Sequence, residues 1–153
     1  MATLARSIVS QQATMEIVVL HTTVAETLEA LKTAAHLAAG LSARIRLLVL
    51  EVVPYPLPLD RPNVPLPFTK RRFRTLAASS SVETNVDIHL VRDPDKAIES
   101  VLEPHSVIVT GAHRSWWPNA HTRVAKRLER LGHQVVWGGA MRCLRYPTSS
   151  CPR

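Results

Sequence analysis

Side chains able to do chemistry gather in two short runs: His21-Thr22-Thr23, and Gly111 followed by His113, Arg114 and Ser115. Hydroxyl, imidazole and guanidinium groups of this kind can hold an anion, and a helix start beside them adds its own dipole. The hydroxyls also have a plainer use. Thr22 or Thr23 is expected to cap the helix that follows, and Ser115 to cap or steady a turn. Arg114 stays open between an anion ligand and the partner of an acid from another loop. No catalytic residue is expected, because the chain has no nucleophile elbow, close carboxylate pair or Cys/His arrangement. The histidines His21, His36, His89, His105, His113, His121 and His133 do not follow metal-ligand spacing, so no metal is expected. Cys143 and Cys151 match neither a redox pair nor half of a zinc site and are read as free cytosolic thiols.

Two further features suit partners better than substrates. In Trp116-Trp117-Pro118, adjacent indoles cannot both point the same way at a helix start. One is expected in the core and the other over a cleft or a partner. Trp137 falls on the last strand, an edge that a second copy can cover. Charge is uneven: residues 68–80 carry four cations and no acid, whereas residues 81–105 carry six acids against Arg92 and Lys96. Residues 106–153 carry eight cations against Glu129 alone. Arg123, Lys126, Arg127 and Arg130 share the outward face of one helix, either simply solvated or docked on an acidic protein or membrane-complex surface. No nucleic-acid reading element is recognisable.

These residues must be positioned by elements that the hydrophobic pattern marks out. Glu16–His21 and Ser106–Gly111 are strand-length apolar runs suited to the centre of a parallel sheet. Arg44–Val53 is a second such run, Val86–Val91 alternates as a strand exposed on one side, and Gln134–Trp137 is a short last strand. Val24, Leu28, Leu31, Ala35 and Ala38 define the apolar face of a first helix, with Gly40 as its stop. The prolines from Pro54 to Pro67 predict a stiff, extended loop, and a short basic helix follows around Phe68, Phe73, Leu76 and Ala77. Asp93-Pro94 opens a third helix. A fourth begins near Pro118, buries Val124, Leu128 and Leu131, and ends at Gly132. Alternating strands and helices predict an α/β fold, an open five-stranded parallel sheet with helices on both faces.

The chain has 153 residues, 46% hydrophobic and 20% charged, with a net charge of +7. That suits one domain with a real core and excludes wholesale disorder. The excess of positive charge favours an anionic contact: nucleic acid, nucleotide, acidic lipid or acidic protein. Residues 1–14 are expected as a flexible N-terminal extension, 15–138 as the α/β domain and 139–153 as a basic C-terminal tail. No apolar stretch approaches the ~20 residues of a membrane span, and residues 1–14 do not read as a secretory signal. A cytoplasmic protein is expected.

The order of elements over residues 16–137, and His105-Ser-Val-Ile-Val-Thr-Gly111 above all, resembles a universal stress protein domain. The resemblance implies strand order 3-2-1-4-5, a homodimer in which Trp137 is buried, and a ligand crevice where strands one and four meet. It brings Thr22 and Thr23 opposite Gly111, His113, Arg114 and Ser115. Nucleotide-binding members carry Gly, two residues, Gly, nine residues, then Gly with Ser or Thr. Here Gly111 fits the first position, Arg114 stands at the second, and Val124-Ala125 takes the last pair. No cofactor is therefore expected, with ATP as the alternative through Arg114 and Trp116 or Trp117. The resulting expectation is a non-catalytic binding domain, dimeric or a subunit of a larger assembly.

Overall fold

In the computed structural model, which describes residues 15–111 and 120–139, nine elements alternate. They are β1 (Glu16–Leu20), α1 (Val24–Leu41), β2 (Arg44–Val52), α2 (Leu66–Ala77), β3 (Thr84–Val91), α3 (Pro94–Val101), β4 (Val107–Thr110), α4 (Ala120–Arg130) and β5 (Gln134–Trp137). The strands form one parallel sheet in the order β3-β2-β1-β4-β5. β1 is central: Val19 pairs with Leu47 on one side and with Val109 on the other.

Alternation along the strands sends successive side chains to opposite faces. Ile17, Val19, Ile45, Leu47, Val49 and Val109 build one core with α1 and α2. Val18, Leu48 and Ile108 build the other with Ile98 and Leu102 at α3 and Leu128 of α4. Two helices therefore cover each face, as the crossovers of a parallel sheet require. On the α3/α4 side the β2–β3 corner is polar. Arg46 lies 3.0 Å from Glu16 and donates to Asp87 at 3.3 Å, and His89 lies 3.0 Å from the same carboxylate. This is the one-sided strand that the alternation of β3 predicts.

Helix α1 departs in part from its sequence pattern: Leu31, Ala35 and Ala38 are buried as expected, whereas Val24 and Leu28 are not. The residues buried against the sheet are Thr27, Ala30, Leu31, Ala34, Ala35 and Ala38, while Val24 is exposed. A face of alanines lets the helix sit low on the sheet, and that close approach sets its rotation more than the placement of leucines does. Two glycines lie beneath it. A Cβ on Gly111 would fall 1.7 Å from the Glu26 carbonyl oxygen, and one on Gly138 would fall 2.8 Å from Ala30 Cα.

Gly40 does not stop α1. The helix runs to Leu41, and Ser42 takes the left-handed conformation at φ 51°, with its N–H and that of Ala43 donating to the Ala38 carbonyl. Helix α2 starts at Leu66, before the expected Phe68, because Pro67 fits the first turn. The proline-rich loop before it is not simply extended. Leu57 donates to Pro54 and Arg61 to Pro58, making two tight turns. The Arg92 guanidinium donates to the Val53 carbonyl at 2.6 Å and the Leu57 carbonyl at 2.5 Å, and lies 4.2 Å over the Tyr55 ring. Helix α3 opens as predicted, with the Asp93 carboxylate accepting from the N–H groups of Asp95 and Lys96. In α4, Ala125 and Leu128 are buried, whereas Leu131, expected inside, is 48% exposed just past the helix end. The expected opening of this helix near Pro118 lies outside the described residues.

Candidate functional site

β1 delivers its last residues to the end of the sheet where the winding direction reverses, with β2 on one side and β4 on the other. The ladder continues one step past β1, as His21 N–H donates to the Leu48 carbonyl at 2.9 Å. Thr23 then caps α1, its hydroxyl accepting from Glu26 N–H at 3.3 Å. Of the two threonines, Thr23 therefore has the structural use and Thr22 is left to the crevice.

Thr27, fully buried on α1, organises this corner. Its hydroxyl donates to the Thr23 carbonyl at 2.6 Å, and having given its proton there it must accept from His21 Nδ1 at 2.8 Å. That assignment places a proton on Nδ1. A longer bond from Thr22 N–H reaches the same oxygen at 3.4 Å. The His21 ring also meets Phe73 of α2 edge to face, with centroids 4.7 Å apart. Its imidazole thus braces α1 and α2, a role that strand-end position alone does not reveal. Sequence reasoning passed over Thr27. The available signal was a polar residue in phase with Ala30, Leu31 and Ala34 on the buried face.

Beside this corner is a cleft of about 280 Å³ at the ends of β1 and β2, under the start of α3 and the side of α4. Leu20, Leu50, Ile98 and Val124 make it largely apolar; Thr22 and Asp95 give it polar edges. The Thr22 hydroxyl is buried and makes no hydrogen bond among the described residues. Next to it, Arg123 and Arg127 share a second hollow with Asp95 and Val124. The arrangement suits a small ligand with an apolar body and a hydrogen-bonding edge. A triphosphate placed in the first cleft would meet the Asp95 carboxylate, an unfavourable like-charge contact.

Gly111 is where β4 was expected to end, yet its missing side chain answers to α1: the Glu26 backbone occupies the space of a Cβ. The resemblance to a universal stress protein domain implies a first glycine of a phosphate turn at this position. His113, Arg114, Ser115, Trp116 and Trp117 lie outside the described residues. Trp137 is half-buried on β5, at the edge of the sheet, with its Cα paired to Thr110. On α4, Arg127 pairs with Glu99 at 2.5 Å, whereas Arg123, Lys126 and Arg130 enter none of the ion pairs formed among the described residues. The described residues contain no group of three His, Cys, Asp or Glu placed to hold a metal ion, and no helix among them is long and apolar enough to cross a membrane.

No family model, curated protein or solved structure matches the chain.

Proposed function

We propose that the chain is a non-catalytic binding and regulatory domain of the universal-stress-protein kind, working in the cytoplasm as a homodimer or as a subunit of a larger assembly. The observation that carries this reading is the cleft at the sheet's reversal point, edged by Thr22 and Asp95 and bounded by the strand order β3-β2-β1-β4-β5. Such a place binds ligands in open α/β sheets. The Asp95 rim and the use of Gly111 under α1 favour an occupant other than ATP. The position of β5, with Trp137, at the edge of the sheet supports pairing of two copies.

The test is to purify the protein natively, denature it and weigh what is released, then titrate ATP calorimetrically and measure mass by sedimentation. The reading expects a dimer, no stoichiometric nucleotide and no ATP heat. Stoichiometric ATP would replace it with nucleotide binding through Arg114 and Trp116 or Trp117. A second reading is an adaptor docking on an acidic protein, supported by Arg123, Lys126 and Arg130 of α4, which are exposed and enter no ion pair among the described residues. It expects partners that co-purify at low salt and are lost at high salt.

A further inference from the structure

Helix α2 carries Lys70, Arg71, Arg72 and Arg74 and no acid. All four are exposed, and none enters an ion pair among the described residues. Four cations elsewhere are matched, Lys32 by Glu29, Arg46 by Glu16 and Asp87, Lys96 by Asp93 and Arg127 by Glu99; α2 differs in carrying four within five residues with no acid on the helix. The helix is anchored by Thr69, Phe73 and Ala77 on one side, so successive 100° steps put Arg71 nearly opposite the sheet, Arg72 and Arg74 on the two flanks and Lys70 nearer the anchored side.

The same segment exposes apolar surface. Of the nine large apolar residues exposed among those described, four fall within residues 55–68: Tyr55 at 81%, Leu59 at 43%, Val64 at 39% and Phe68 at 63%. Phe68 is one turn from Arg71 and Arg72 on α2, and the other three belong to the loop that Arg92 ties down. Exposed aromatic and aliphatic side chains beside uncompensated cations are what an interfacial helix presents to a charged bilayer. The cations meet lipid phosphates and the apolar groups enter the headgroup boundary. Helix α4 is equally basic but contains Glu129 and has Glu99 bound to its Arg127.

We infer that α2, with the loop that leads into it, is a docking surface for an anionic lipid bilayer. A nucleic acid would satisfy the cations and could stack on Tyr55 or Phe68, but it would leave the aliphatic Leu59 and Val64 in water. This surface is separate from the crevice and does not depend on what the crevice holds.

The experiment is flotation of the full chain with vesicles of phosphatidylcholine alone or mixed with phosphatidylglycerol. Partitioning is expected only into the anionic vesicles, weakening as salt rises. Each cation near such a surface contributes about fivefold, so K70Q/R71Q/R74Q should lose on the order of 100-fold. Phe68→Ala should lose about fivefold through its apolar contact, at high salt as at low. The α4 variant R123Q/K126Q/R130Q removes equal charge and should lose no more than about fivefold. Circular dichroism verifies the fold of each variant, and Arg71→Gln with Arg74→Gln alone serves if the triple variant is unfolded. Absence of binding to anionic vesicles would overturn the inference. So would equal losses from the two triple variants, or an unchanged Phe68→Ala protein that heparin displaces, which marks a general polyanion surface.

Discussion

Replacing Gly111 by alanine is the sharpest probe of how this domain is assembled. The added Cβ would stand 1.7 Å from the Glu26 carbonyl oxygen, 2.3 Å from its carbon and 2.7 Å from Glu26 Cα. Backbone atoms cannot rotate aside as a side chain does, so the first turns of α1 must lift by roughly 1–1.5 Å to restore contact distance. Lifting them opens a gap over Ala30, Leu31 and Ala34, all at most 1% exposed; a gap of that size removes about half of the dispersion energy of the contacts it spans. Overpacking usually costs about 1–3 kcal/mol, and this clash belongs at or above the upper end. Expected, then, is a loss of about 3 kcal/mol or more in urea unfolding, or roughly 10 °C in Tm for a domain of this size. Gly138→Ala, 2.8 Å from Ala30 Cα, should cost about 1–3 kcal/mol. Gly40→Ala has nothing within 4 Å and lies inside α1, so it should stabilise by about 0.5–1 kcal/mol. If Gly111→Ala unfolds within about 0.5 kcal/mol of the parent at unchanged m-value, the packing account is wrong. The glycine would then have to be explained by ligand contact, and the variant should show that as lost binding.

Thr27→Val keeps shape but strands His21 Nδ1–H, so it should cost about 1–3 kcal/mol in denaturant unfolding and release the ring's fixed tautomer in nitrogen NMR. Arg92→Ala removes both carbonyl contacts and the stack on Tyr55; amide hydrogen exchange should speed up at Leu57 and Arg61, whose N–H groups close the loop's two turns, with a stability loss of about 1–3 kcal/mol. Ser42→Gly relieves the left-handed residue that ends α1 and should raise stability by about 0.5–1 kcal/mol, read as a higher urea midpoint at the same slope.

Strand and helix locations followed from local pattern, because an apolar run buried on both faces, a proline at a first helical turn and an Asp cap act within a few residues. Asp93 capping α3 and the two-faced burial of Ile17–Val19 are of this kind. Parallel alternation also implied a layered α/β sheet, since each crossover must carry a helix. The rotation of α1 was legible only in part: Leu31, Ala35 and Ala38 are buried as their spacing predicts. Val24 and Leu28 outrank alanine on any hydrophobic scale, yet the sheet took Thr27, Ala30 and Ala34 beside them because small residues there permit a close approach. The meaning of Gly111 reversed for the same reason: its neighbour in space is Glu26, 85 positions away in the chain. The cleft likewise joins Thr22, Leu50, Asp95 and Val124 from four separate segments. Local chemistry fixes which residues can form an element, whereas the distance between elements, set by the side chains packed between them, decides which groups meet.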